Sequence, residues 1–367
     1  VHLDGQLVLP NSVIPGRITF DTHITTITPL PEAPDRYILP GFIDTHVHGG
    51  NGHDTMDGPD AIRALSRFHL AHGTTTILPT TITRPWPDVM DALRAIAEVR
   101  KTGVQNGPAI HGAHLEGPFV SPHKLGAQPP YAIPPETHRV REALETGIVR
   151  VVTLAPELPH AETAIPLFTK AGVRVSLGHT IASCEQTTTA LCQICATGGT
   201  AGATHLFNAM NPLTGRDPGP VAALFCHDEA HAEMIFDTHH VHPDSFKLAH
   251  KILDRRLLFI TDAMRGAGQG DGPSQLGGQN VTITNGIARL DNGSLAGSVL
   301  TLDQALRNAL ATGTPLHKAA QLVSSNAARY LGLTDRGELQ PDRRADFTLL
   351  NTSYGIDEVW TDGSRKA

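Results

Sequence analysis

In the run Pro-Gly-Phe-Ile-Asp-Thr-His-Val-His-Gly-Gly at 40–50, a turn leads into a short apolar strand that ends on His46 and His48. Side chains at i and i+2 of a strand share a face, with Cα atoms about 6–7 Å apart. Two imidazoles at that spacing can converge on one metal ion, and the glycines after them allow a sharp turn at the strand mouth. The same spacing also fits a strand end with two surface histidines, so other segments must decide. Further apolar runs end in ionisable residues: His114-Leu115-Glu116-Gly117-Pro118, Gly178-His179, Thr204-His205-Leu206-Phe207-Asn208, Asp237-Thr238-His239-His240 and Thr261-Asp262-Ala263. Singly, each has a structural explanation: a hydrogen-bonded strand-end histidine, a turn carboxylate at Glu116, a helix cap at Asp262. Together, several histidines and two carboxylates at one rim would be costly to bury unpaired. A divalent cation would pair them. Histidine and carboxylate donors with an open position suit zinc or iron(II) in a hydrolytic role.

Such a rim needs elements that bring distant segments to one place. From residue 40 onward, apolar runs alternate with amphipathic ones. Strands are predicted at 41–48, 74–81, 109–117, 149–157, 173–179, 203–208, 234–241 and 257–262. Helices are predicted at 59–71, 86–101, 136–145, 161–171 and 243–253, with further ones at 186–196, 301–312 and 315–331. Eight strand–helix units over about 220 residues predict an α/β fold, a (β/α)8 TIM-like barrel whose chemistry lies at the C-terminal strand ends. The continuous apolar strands fit a sheet covered on both faces. Residues 1–39 and 336–367 read as short strands and predict a small β-sandwich domain built from both chain termini, flanking a barrel over 40–335. Asn285-Gly286 between two alternating runs predicts a β-hairpin insertion near 275–295. The glycine-rich stretch 266–278 lacks Gly-Lys-Ser/Thr and precedes no helix, so it is expected as a loop over the mouth rather than a phosphate-binding loop.

Composition narrows the partners. The 367 residues carry a formal charge of −7, with 40% hydrophobic and 18% charged residues, ordinary for a globular protein. That balance argues against nucleic acid or an anionic membrane as partner, and no apolar run is long enough to span a bilayer. The N-terminal Val-His-Leu-Asp-Gly lacks the basic and apolar regions of a signal peptide. Four cysteines are too few for a disulfide scaffold. Cys192-Gln-Ile-Cys195 has redox or zinc spacing but falls late in a helical run, where neither function places it. A reduced, cytoplasmic protein is expected.

The motifs PGFIDTHVHGG (40–50), HLEGPF (114–119), SLGHT (176–180), THLFNAMNPLTGRDPG (204–219), ITDAM (260–264) and LAGSVLTLD (295–303), with NAARYLGL and GELQPDRRADFTLL between 326 and 350, resemble the amidohydrolase superfamily. Within it they resemble the N-acetylglucosamine-6-phosphate deacetylase family. HxH alone is widespread; HLEGP together with THLFNAM is far more restrictive. Many amidohydrolases carry a bridging lysine on the fourth strand, but 151–157 has none, and Glu116 would take that place as in this deacetylase family. The resemblance implies that Glu116, His179 and His205 bind one divalent metal, zinc or iron. It implies that His46 and His48 with Asp262 form a second site, giving one or two ions per subunit. The implied reaction converts N-acetyl-D-glucosamine 6-phosphate to glucosamine 6-phosphate and acetate, with Asp262 orienting the attacking water, taking its proton and passing it to the leaving amine. Ala127, Gln128, Asn208, Ala209, Arg216 and His240 would hold the phosphorylated sugar, Arg216 reaching in from the partner of a homodimer. Two positions depart from the family: Gln128 stands where a histidine is common, and Thr238 where glycine follows Asp. Both bear on the substrate rather than the reaction. The alternatives are deacetylation of another N-acetyl-hexosamine phosphate, a different amidohydrolase acting on a small amide, or a non-catalytic scaffold.

Overall fold

Apolar strands buried on both faces form the centre of the molecule. The structure, a computed structural model, describes residues 1–367. Strands Phe42–Val47 and Thr74–Pro79 are buried at every position, as strands under two layers of helix must be. Parallel pairs follow chain order. Phe42–Val47 pairs with Thr74–Pro79, and that strand with Ala109–Ile110. Ala113–Leu115 continues the third segment and pairs with Val149–Leu154, followed by Arg174–Leu177 and Ala201–Ala203. Ala232–Ile235 pairs with Leu257–Ile260. Backbone bonds from Ala203 N–H to His231 C=O and from Leu206 N–H to Glu233 C=O join the sixth segment to the seventh. The eighth returns to the first: Asp262 N–H donates to His46 C=O, and His48 N–H to Ala263 C=O, each at 2.9 Å. The result is a mixed α/β fold in which eight parallel segments close a ring.

Helices alternate with these strands. Pro59–Ala71 and Pro243–Leu253 match their predicted ranges, because proline at the first helical position marks each start. Cys184–Ala196 opens with a capping box in which Ser183 and Gln186 satisfy each other's backbone N–H. It contains Cys192 and Cys195, and all four cysteines are free. The helix predicted at 315–331 is two helices, Leu316–Val323 and Ser325–Leu331, broken where Ser324 leaves helical geometry (φ −140°, ψ −83°). Gly219–Cys226 is a further helix that the sequence pattern did not give, since its Gly-Pro start reads as loop. Helices and ring share one core of 72 buried residues.

Both chain ends contribute to a single seven-stranded sheet, in which Phe347–Leu350 pairs with Tyr37–Pro40, and His2–Val8 lies between Tyr37–Pro40 and Val13–Phe20. All seven belong to one hydrogen-bonded sheet; strand pattern shows which residues face inward, not which strands pair. The sheet curls so that Phe20 meets Phe347 and Trp360 edge to face, at 4.9 and 5.5 Å between centroids. Over the ring's mouth lies the predicted insertion, a three-stranded antiparallel sheet of Gly272–Leu276, Gln279–Thr284 and Ile287–Leu290. Asn285 and Gly286 take φ of 52° and 73°, the paired positive values of a tight hairpin turn. The stretch 266–278, expected as loop, thus supplies one of these strands.

Candidate metal and substrate site

Every expected ligand lies at or just beyond the C-terminal end of a ring strand. His46 is the next-to-last residue of the first strand with His48 just beyond it, Glu116 follows the third, and His179, His205 and Asp262 each lie two residues past the fifth, sixth and eighth. The strands at 203–208 and 234–241 stop earlier than predicted, so their histidines lie in turns. His179, His205, Phe207, Ala209 and Asp262 all have positive φ, between 31° and 77°. Such backbone is unfavourable for residues with a Cβ and gathers at functional sites. His46, His48, Glu116, His179, His205 and Asp262 are all buried.

Their atoms converge on Glu116. Its Oε1 lies 3.2 Å from Nε2 of both His179 and His205 and 3.5 Å from Nε2 of His46. Its Oε2 lies 3.1 Å from Nε2 of His48. The two nitrogens of the His179–His205 pair are 3.0 Å apart, and those of the His46–His48 pair 3.3 Å. Asp262 Oδ1 is 3.1 Å from His48 Nε2 and 3.5 Å from His46 Nε2. A carbonyl or carboxylate oxygen accepts, so His179 Nδ1 donates to Lys124 C=O at 2.8 Å and His46 Nδ1 donates to Glu233 at 3.1 Å. In each neutral ring Nε2 is then a lone pair, aimed at Glu116 Oε1, which is buried without a hydrogen-bond partner. Acceptors packed against acceptors fit a cation. Two groups meet this test, Glu116–His179–His205 and Glu116–His46–His48. A third cluster, His46–His114–Glu233, does not: His114 Nδ1 donates to Thr45 C=O and its Nε2 is bonded to the Thr153 hydroxyl, so no lone pair is free.

Charge says the same. Burial opposes a charged imidazole, yet Asp262 and Glu116 outweigh it and push His48 up to about 9 and His46 well above its usual value. Burial likewise opposes the carboxylates, but His46 and His48 hold Asp262 at about 2, and His46, His179 and His205 hold Glu116 well below its range. Protons here stand where a divalent ion would, so metal uptake must displace them. Burial, reinforced by the neighbouring His46, depresses His114 to about 4.

A cavity of about 310 Å³ opens above these atoms. Ala127, Gln128, Asn208, Ala209 and His240 line it, as do His48, Glu116, His179, His205 and Asp262. Gln128 is tied into the wall: its Oε1 accepts from Thr83 N–H at 2.7 Å, and its Nε2 donates to Glu116 Oε2 at 2.6 Å. His240 Nδ1 donates to Asp237 at 2.7 Å. Arg216 is not brought in; it is exposed on the loop after Asn211, and no arginine or lysine lines the cavity. Sequence reasoning missed Ser294, Leu295 and Gly297, which line the cavity within or beside the run matched at 295–303. It also missed Glu233, a carboxylate inside an apolar run, whose signal is the cost of burying such a group unpaired.

The amidohydrolase family profile matches residues 37–366. An N-acetylgalactosamine-6-phosphate deacetylase of Escherichia coli O157:H7 is 37% identical over 94% of this chain and 92% of its own length. An N-acetylglucosamine-6-phosphate deacetylase of Lysinibacillus sphaericus is 37% identical over 87% of this chain and 83% of its own. A solved structure of a mutant N-acetyl-D-glucosamine-6-phosphate deacetylase from Mycobacterium smegmatis, in complex with N-acetyl-D-glucosamine-6-phosphate, superposes with a TM-score of 0.93 at 31% identity, covering 100% of this chain and 99% of that one. The chain belongs to the amidohydrolase family. The narrower resemblance carried by the HLEGP and THLFNAM runs is borne out as well, since the relatives are sugar-phosphate deacetylases.

Proposed function

We propose that this chain hydrolyses the acetamide of N-acetyl-D-glucosamine 6-phosphate to glucosamine 6-phosphate and acetate. The observation that carries the reading is the partnerless Glu116 Oε1 facing Nε2 of His179 and His205 at the floor of the cavity, beside Asp262. Glu116, His179 and His205 would hold one divalent ion, and His46, His48 and Asp262 a second with Glu116 between them; zinc and iron(II) both suit the donors. Such an ion supplies Lewis acidity and makes water a nucleophile near neutral pH. Asp262 is ionised at neutral pH and so can accept the proton of the attacking water. His48 Nε2 lies 3.1 Å from its Oδ1, close enough for both to face the same ion. Protonated, Asp262 then delivers that proton to the departing amine. Ile82, Ile235, Leu276 and Leu295 give the cavity apolar walls for the acetyl methyl. Gln128 is committed to Glu116 and Thr83, so in this reading it shapes the site rather than polarising the carbonyl.

A dianionic phosphate needs a fixed cation. With none in the lining, Arg216 of a second copy is the proposed source, supported by its exposed loop following Asn208 and Ala209. Asn208 and His240 would take the sugar and phosphate oxygens. We read the ring as a (β/α)8 barrel and the terminal sheet as a separate small β domain of 1–39 and 336–367. The phosphorylated substrate and four free thiols fit a cytoplasmic setting.

A second reading is the C4 epimer, favoured by the 37% identity to the N-acetylgalactosamine-6-phosphate enzyme. Acetate release from both phosphorylated sugars and from unphosphorylated N-acetylglucosamine, with and without chelator, separates them. The proposal expects chelator-sensitive release with kcat/KM highest on the glucosamine form. Higher kcat/KM on the galactosamine form selects the second reading, and release undiminished by full metal removal contradicts both.

A further inference from the structure

We infer that Glu233 is a positioning residue that sets the affinity of the His46–His48 metal site. The inference rests on the reading of His46 and His48 as metal ligands and adds the reason that site would be filled in this chain. Glu233 lies on the seventh ring strand, is 1% exposed and does not line the cavity, so it has no substrate to touch. Both its oxygens are engaged by neighbours on the first strand: Thr45 Oγ1 donates to Oε1 at 2.8 Å, and His46 Nδ1 to Oε2 at 3.1 Å. Thr45 and His46 alternate across the strand, and Glu233 grips both, fixing the ring's orientation and tautomer.

The four histidines differ in what holds their far nitrogen. His46 has a carboxylate and His179 a backbone carbonyl, while Nδ1 of His48 and of His205 finds no partner. A carboxylate behind a ligating imidazole raises its basicity and locks its lone pair on the metal, and losing it typically weakens metal binding about 10–100-fold. Only the His46–His48 site therefore depends on a carboxylate behind its ligand, and loss of Glu233 falls on that site alone.

The test uses Co2+ as the probe. Metal-free full-length protein, wild type and Glu233→Gln, is titrated with Co2+ while its visible absorption is followed, and bound cobalt is counted after gel filtration. Glutamine keeps the shape and can still accept from His46. The wild type should take up two equivalents. Glu233→Gln should keep the first at wild-type affinity and bind the second about 10–100-fold more weakly, with the second-step absorption changed. Thr45→Val, which removes only the donor to the far oxygen, should weaken the second step by less and keeps the question answerable if Glu233→Gln does not fold. Two equally tight steps in both variants, or equal weakening of both steps, would overturn the inference. A wild type that binds one equivalent overturns it while leaving the Glu116–His179–His205 site standing; a wild type that binds none removes the underlying metal reading as well.

Discussion

At the rim of the ring, residues with side chains hold positive φ and buried carboxylates crowd imidazoles. In the terminal sheet, Phe20, Phe347 and Trp360 pack edge to face around a small apolar core. The rim accepts unfavourable backbone and unpaired acceptors because chemistry needs them there; the sheet holds only what stabilises it. The contrast recurs in two aspartates. Burial opposes ionisation of both Asp262 and Asp303, and both are nonetheless held at about 2. Asp262 is held there by His46 and His48 and faces the cavity. Asp303 is held there by His72, Thr301 and Arg307, and ties the helix Leu302–Ala311 to the end of Pro59–Ala71.

The contrast can be broken at several points. Glu116→Gln should cut turnover on the order of 10³-fold or more, and it should lower the metal-free Tm as well, because the imidazoles that hold Glu116 below its range lose their counter-charge. Near-wild-type turnover would mean that the rim is structural rather than catalytic. Phe347→Ala should cost about 3–5 kcal/mol in denaturant unfolding and leave kcat per folded molecule unchanged. Asp303→Asn should cost about 2 kcal/mol at pH 7 and leave turnover alone. Because the folded value lies below the ordinary 3.8, this contribution is full above about pH 4 and is lost as pH falls through about 2. The gap between Asp303→Asn and wild type should therefore close on acidification, and a gap that persists at pH 2 would refute the assignment. Smallest is Thr238→Gly. A β-branched residue at φ 72° is strained, so glycine should stabilise by up to about 1 kcal/mol, read as a modest rise in Tm.

What was legible in the sequence follows the same division. The ring strands showed as continuous apolar runs because both faces are covered, and proline at helix starts fixed Pro59–Ala71 and Pro243–Leu253. The strand-end residues were legible because ionisable side chains stand out against such runs: His46, His48, Glu116, His179, His205 and Asp262 do come together. Glu233 was hidden because the seventh strand was placed at 234–241, one residue too late to include it. Gln128 was legible as a departure, but its bond to Glu116 depends on Thr83, 45 residues earlier in the chain. The pairing of the terminal strands joins residues more than 300 apart in sequence, and no local pattern encodes that. Arg216 is exposed on its loop, with no local contact to mark it.

The central claim is that Asp262 moves the proton in a metal-dependent deacetylation. It is tested most directly by measuring acetate release from N-acetyl-D-glucosamine 6-phosphate by Asp262→Asn protein, with bound metal counted on the same sample. The account predicts that the metal at Glu116, His179 and His205 is retained and acetate release is abolished. Near-normal release by the metal-loaded variant would contradict it.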